Sequence, residues 1–334
     1  MPDPSDAPDR PLAAASEAVR AGVVLRSTGS WYTVATETGE QVLARVRGRF
    51  RLEQEVLDET NPVAAGDRVR LRTEADGTAL ITEILPRHNQ LSRRAAGRRV
   101  SREHVIVANV DFAWGVQAAA LPTFNPGFLD RLLVMAEAYH IPAGIVINKA
   151  DLLRDRADLQ DAVFFWRDLY AGLGYPVLLT SALEGDGVGA FRTHLRDKTS
   201  VVAGPSGVGK STLLNTVDPA LDLKTGEISQ KTRKGTHTTT FATLYPLTDG
   251  GYVADTPGLR EFGLAGIAPE ELSGYFVEMR PFIGECRYPD CTHDHEPGCA
   301  VADAVAEGTI SEERFSSYLN ILDSLRAGTA DAGR

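Results

Sequence analysis

Cysteine is scarce in this chain, and long apolar runs and internal repeats are missing. Each shortage excludes a class of protein. Three cysteines in 334 residues, all between Cys286 and Cys299, cannot staple a disulfide-dense secreted fold. An odd number packed into 14 residues points to metal instead. No run of 18 or more apolar residues occurs, so no helical membrane span is expected. The opening MPDPSDAPDRPLAAASEAVR has neither a basic start nor an apolar core. A secretory leader is therefore not expected, and the expected location is the cytoplasm. A net charge of −10 suits a general nucleic-acid binder poorly. Lysine is absent from residues 41–102, yet thirteen arginines there face eight acidic residues, a local net of +5. Arginine alone favours planar, bidentate contact with phosphate. What remains, 43% hydrophobic and 24% charged, is the make-up of a globular chain long enough for two or three domains.

The pattern changes twice along the chain. Residues 1–19 read as a disordered tail, rich in Pro, Asp and Ala. Residues 20–88 carry five short β-like runs, GVVLRS, WYTVATETG, QVLARVRG, AGDRVRLRT and TALITEIL, punctuated by glycine. Five strands in so short a span predict an OB-type barrel, although an SH3-like barrel would show the same pattern. Residues 89–103 read as a basic linker. Residues 104–263 then alternate strand and helix, which predicts a parallel sheet covered on both faces. Residues 264–326 read as a helical segment around the cysteines, with helices predicted over 269–279 and 311–326. Residues 327–334 read as a frayed end.

GPSGVGKST fits G-x-x-x-x-G-K-[ST] between a strand and a helix. Its residues Gly204, Pro205, Ser206, Gly207, Val208, Gly209, Lys210, Ser211 and Thr212 form the candidate phosphate cradle. Glycines let successive N–H groups face the phosphates, Lys210 can bridge β- and γ-oxygens as a catalytic group, and Ser211 can offer a hydroxyl to Mg²⁺. DTPG follows downstream, with Asp255 a candidate Mg²⁺ carboxylate and Gly258 a candidate γ-phosphate donor. The Thr-rich stretch between them reads as a switch in which Thr238 or Thr239 can complete the Mg²⁺ shell. We carry Thr239 as the ligand.

VINKADLL lies upstream of the phosphate loop. Asn148, Lys149 and Asp151 make the Asn-Lys-x-Asp pattern of a guanine reader, because a carboxylate accepts the ring N–H and the amino group of guanine, whereas adenine has no donors there. TSA supplies Ser181 and Ala182, where a backbone N–H can meet the guanine carbonyl. Both motifs end predicted strands, where open α/β sheets bind ligands. All the parts of a GTP site are present with the base-reading parts first, so the G domain reads as circularly permuted. Leu259 follows DTPG where many GTPases carry a water-orienting Gln, so slow basal turnover is expected and another group must place the water. His237, in the switch, is the candidate. At the cysteines, C-x4-C-x-H-x5-C offers Cys286, Cys291, His293 and Cys299 as a closed structural zinc shell, with His295 as an alternative fourth ligand.

A basic barrel, a permuted G domain and this cysteine pattern together resemble one family, the ribosome small subunit-dependent GTPase A proteins (RsgA, also called YjeQ). The resemblance covers residues 20–325 and rests on NKAD, TSA, GPSGVGKST, the GxHTTT switch, DTPG and RYPDCTHDHEPGCAV. It implies an N-terminal OB fold, a central permuted P-loop GTPase and a C-terminal α-helical zinc domain. It also implies GTP hydrolysis stimulated by the 30S subunit and its rRNA late in assembly. His237 stands at the family's proposed catalytic position. Thr236 departs from the Lys or Arg that usually precedes it. A monomer carrying one zinc, with Mg²⁺ bound beside GTP, is expected.

Overall fold

The structure is a computed structural model that describes residues 19–46, 63–94, 103–224, 242–255, 264 and 266–327. Five strands close the N-terminal barrel: β1 (Val19–Thr28), β2 (Trp31–Thr36), β3 (Gln41–Val46), β4 (Arg68–Thr73) and β5 (Ala79–Ile84). Their order, β1-β2-β3-β5-β4, returns to β1. The β3–β5 pair is parallel while the rest are antiparallel. That order and the parallel closure mark the OB type and set aside the SH3-like alternative. Alternation along β4 explains the two surfaces. Val69 and Leu71 point into a core with Val24, Val34 and Ile81, while Arg68 and Arg70 point to solvent.

The segment read as a linker is partly strand. β6 (Gln90–Arg94) pairs with β7 (Glu103–Ala108) in an antiparallel ribbon, because Leu91 and Val107 are buried apolar side chains that need cover. Residues 95–102 of that segment lie outside the described residues. The ribbon is fastened to the barrel by polar groups. Arg87 forks onto the buried Asp67 at 2.7 and 2.9 Å, and Asn109 donates to the Gly66 carbonyl at 2.9 Å.

The central sheet has the order β10-β9-β8-β11-β13-β12. Its strands are β8 (Phe112–Ala118), β9 (Ala143–Asn148), β10 (Val177–Leu179), β11 (Thr199–Ala203), β12 (Thr243–Pro246) and β13 (Tyr252–Asp255). All pairs are parallel except the edge pair β12–β13. Helices α1 (Pro126–Ala138) and α2 (Ala157–Gly172) pack on one face, and α3 (Val188–Leu195) and α4 (Lys210–Val217) on the other. The period-two rule sorts the faces: Ile145 and Ile147 join the α1/α2 side, while Trp114, Val116 and Val146 join α3 and α4. α1 begins where Asn125 accepts from the Phe128 N–H at 3.0 Å and Pro126 presets the first turn.

The C-terminal segment contributes a 3₁₀ turn (Pro269–Tyr275), α5 (Ala300–Ala306) and α6 (Glu312–Arg326). The helix expected over 269–279 is thus shorter and tighter, since Ser273-Gly274 propagates an α-helix poorly. Among the described residues this segment has no core of its own. Phe276, Met279, Cys299, Val301, Tyr318 and Leu322 belong to the same buried cluster as Leu129, Leu132 and Ile147 of the sheet and α1.

Candidate nucleotide site and metal centre

The site gathers at the C-terminal ends of β9, β10, β11 and β13. One side chain joins three of its parts. Asn148, at the end of β9 and 1% exposed, donates through Nδ2 to the Val208 carbonyl of the phosphate loop at 3.0 Å. Its Oδ1 accepts from the Thr180 hydroxyl and the Ala182 N–H, each at 3.1 Å. The amide has both donor and acceptor, which is why Asn suits a place where a carboxylate could not bond a carbonyl. Asp151 is held separately, its Oδ1 accepting from Ser181 Oγ at 2.7 Å. Lys149 sits at φ +62 and donates to the Leu121 carbonyl at 2.5 Å.

The phosphate loop runs from β11 into α4 as the sequence predicts. Gly204 and Gly209 are required by space. A Cβ on Gly204 would lie 2.2 Å from the Val116 carbonyl, and one on Gly209, at φ +92, would meet Asn148 Nδ2 at 2.6 Å. Pro205, Ser206, Gly207 and Val208 form the bend between them, with Ser206 and Gly207 exposed and Val208 buried. Lys210 curls over the loop and donates to the carbonyls of Gly204 and Pro205 at 2.7 and 2.8 Å. Those carbonyls hold its ammonium over the cradle. Ser211 and Thr212 lie in the first turn of α4, where backbone N–H groups lack helical partners and favour an anion. Asp255 ends β13, one residue past Ala254, which pairs with Val201 of the phosphate-loop strand. Its backbone is therefore level with Val202, two residues before the phosphate loop begins. His237, Thr238, Thr239, Gly258 and Leu259 lie outside the described residues.

The second centre is the cysteine cluster. One ligand atom each from Cys286, Cys291, His293 and Cys299 lies within 4.8 Å of the others. His293 Nδ1 is 3.5 Å from Cys286 Sγ and 3.4 Å from Cys299 Sγ, and the two sulfurs are 4.0 Å apart. Bonds of about 2.3 Å to a tetrahedral zinc give edges of about 3.8 Å, so the donor set fits that ion in size and softness. His295 points outward onto Asp294 and stays apart, which resolves the sequence alternative in favour of His293. Burial pushes the Cys291 thiol up to about 12 and lowers the His293 imidazole. Metal binding there must displace thiol protons.

Residues that sequence reasoning passed over build the metal loop. Glu296 accepts from the Thr292 N–H and hydroxyl at 2.9 and 2.7 Å, and from the Asp294 and His295 N–H groups at 3.0 and 3.2 Å. Desolvation opposes its ionisation, yet the hydrogen bonds from Thr292 and Asp294 win and hold the carboxyl far below its usual range. From α6, Tyr318 donates to the Thr292 carbonyl at 2.6 Å, and Arg326 bonds both Asp294 and Thr292 at 2.8 Å. The one hint in the sequence was an acid placed just before Pro-Gly inside the ligand run.

The barrel's basic face is partly neutralised. Arg70 pairs with Glu83, Arg72 with Glu74 and Arg87 with Asp67. Arg47, Arg49, Arg51, Arg98, Arg99 and Arg102 lie outside the described residues.

Comparison with known proteins adds a family to this geometry. The model for the RsgA GTPase matches residues 84–265, and that for the RsgA N-terminal domain matches residues 21–81. A small ribosomal subunit biogenesis GTPase RsgA from Phocaeicola vulgatus is 42% identical over 308 residues, covering 92% of this chain and 97% of the relative. One of the same name from Gemmatimonas aurantiaca is 45% identical over 306 residues, covering 91% and 97%. Among solved structures, YjeQ from Thermotoga maritima superposes with a TM-score of 0.75 at 36% identity, covering 95% of this chain and all of that one. YloQ, described as a circularly permuted GTPase, gives 0.72 at 31%, covering 94% and 98%.

Proposed function

The chain belongs to the RsgA GTPase family, and from that premise we propose that it acts on the 30S ribosomal subunit late in its assembly. It is a GTP hydrolase. In the proposed cycle it binds the subunit's rRNA, the subunit stimulates turnover, and the γ-phosphate state of the switch is passed to the zinc-bearing segment. The observation that carries the nucleotide site is the Asn148 side chain, which ties the base-reading strand, the Ser181–Ala182 turn and the phosphate loop into one unit.

Each group then has a task. Asp151 accepts the two guanine donors, and a wrong base would leave its charge unpaired once the base covers it. Backbone N–H groups from Ser206 to Thr212 cradle the phosphates, and Lys210 carries positive charge to the β/γ bridge. Ser211, Thr239 and Asp255 would hold Mg²⁺, which when bound neutralises phosphate charge. Water attacks the γ-phosphorus, the bond to the bridging oxygen breaks, and GDP leaves with that electron pair. His237 orients the water in place of the Gln that Leu259 displaces. Cys286, Cys291, His293 and Cys299 hold a structural zinc with no open position. The arginines of residues 41–102 meet rRNA phosphates, which reconciles a basic face with an acidic protein. We place the protein in the cytoplasm and expect it to be monomeric.

The test is GTP hydrolysis by purified protein, alone and with 30S subunits, with ATP as control. Slow basal turnover that rises with 30S, for GTP alone, supports the reading. A guanine-specific activity indifferent to 30S would remove the ribosome from it. The switch link has its own check, in which identical proteolysis patterns over residues 259–330 with GTP and GDP analogues would exclude it.

A further inference from the structure

Arg314 on α6 is 1% exposed, a burial that arginine tolerates only with partners. Its Nη1 donates to Asp130 Oδ1 of α1, and its Nε and Nη2 donate to Glu278 at 2.6 and 3.2 Å. Tyr170 of α2 donates to the same Asp130 oxygen at 2.8 Å, and the guanidinium lies 4.5 Å from the Phe276 ring centroid. Burial pushes the Asp130 carboxyl up, and the Arg314 charge opposes that. A buried ion group of this kind stabilises less than apolar packing would, but it fixes position, because any slip leaves a charge unpaired.

What it fixes can be followed in both directions. Ahead of α1, the Asn125 N–H donates to Oε1 of the fully buried Gln117 at 3.1 Å. The loop between them carries Leu121, whose carbonyl accepts the Lys149 ammonium. Behind Arg314, α6 continues to Tyr318 and Arg326, which hold the Thr292–Asp294 loop of the metal centre. One helix therefore grips the metal loop at one end and the helix that sets Lys149 at the other.

We propose that Arg314 is a positioning residue for the guanine site: by holding Asp130 it fixes α1 and the loop before it, and through the Leu121 carbonyl it places Lys149 against the base. Zinc and guanine nucleotide are then linked ligands, and by reciprocity each tightens the other's binding. The inference rests on the reading of Lys149 as part of the base site. It differs from the switch link in one measurable respect. The base is common to GDP and GTP, so this link is indifferent to the γ-phosphate.

The experiment uses the full-length, zinc-loaded protein with fluorescent GDP and a non-hydrolysable GTP analogue. Arg314→Met is expected to raise both dissociation constants by the same factor, about tenfold. Its kcat at saturating GTP should stay within about twofold of the parent, a split that a generally weakened fold would not give. A folded Arg314→Met protein with parental affinity for GDP overturns the proposal. Should that variant not fold, hydrogen exchange over Glu312–Arg326 in the unmodified protein decides. Equal slowing by GDP and by the GTP analogue supports the link. Slowing by neither overturns it, and slowing by the GTP analogue alone assigns the effect to the switch and overturns it too. Failure of the unmodified protein to bind guanine nucleotide would instead sink the site reading on which the inference rests.

Discussion

The barrel and the C-terminal segment flank the same G domain, but they differ in degree: among the described residues the barrel has a core of its own and lends only Leu25, Ala35 and Ala65 to the sheet's cluster. The barrel closes its own core around Val24, Val34, Val69, Leu71 and Ile81, and polar pairs such as Asp67–Arg87 fasten the ribbon to it. The C-terminal segment has no separate core among the described residues, and it pools Phe276, Tyr318 and Leu322 with the sheet and α1. A module with its own core can fail alone, whereas one that shares a core takes its neighbour with it. The difference says which attachment can transmit a change of state.

Zinc removal should break this comparison most visibly. Structural zinc contributes about 10–16 kcal/mol in small zinc domains at neutral pH. Cys291→Ser, or chelation of the metal, is therefore expected to lower the melting of the segment and the G domain together while a barrel transition survives. Calorimetry would show it, and a separate low-temperature transition confined to the segment would contradict the shared core. Next comes a matched pair in the two cores. Phe276→Ala should cost about 3–5 kcal/mol and weaken GDP binding, whereas Ile81→Ala should cost about 2–5 kcal/mol in the barrel alone. Denaturant melts followed by fluorescent GDP and by far-UV dichroism would separate them. Asp67→Asn should cost about 3 kcal/mol or less, since it leaves Arg87 at the rim without its carboxylate. Its signature is faster exchange in β6 and β7 with GDP affinity unchanged. Smallest is Glu296→Gln, expected to lower zinc affinity about tenfold by turning a four-bond acceptor into a mixed donor and acceptor. Because the folded carboxyl of Glu296 is depressed, its contribution is complete above the ordinary glutamate range and fades as pH falls through the folded value. Glutamine should remove that acid dependence, as an acid titration of the metal-free protein would record.

Much of this was legible in the sequence, for reasons that differ from part to part. The phosphate loop, NKAD and the cysteine run are local: their candidate residues are neighbours in sequence, so spacing makes the patterns readable. The barrel strands followed from alternation and glycine spacing, and the sheet from strands separated by helices. The ribbon was missed because PRHNQLSRRAAGRRV has, among its described residues, one buried apolar side chain, Leu91, set among many charges, too little to show a period. The Arg314–Asp130 pair was hidden differently. Its members are 184 residues apart, and each looks like an ordinary surface charge on an amphipathic helix until the fold brings them together. Glu296 was passed over for a related reason. Its four donors are backbone and hydroxyl groups that no pattern of residue types announces.

Strand β12 is the outermost strand of the central sheet and runs antiparallel to β13. β1 of the barrel lies close to it, and Leu25 and Ala35 pack into the same cluster as Ala242 and Leu244. An open edge strand is a template for pairing with another chain. Lying close to that edge, the barrel is expected to hinder its pairing with another chain. A chain shortened to begin after residue 88 would carry every motif of the nucleotide site and still be prone to add strands from its own copies.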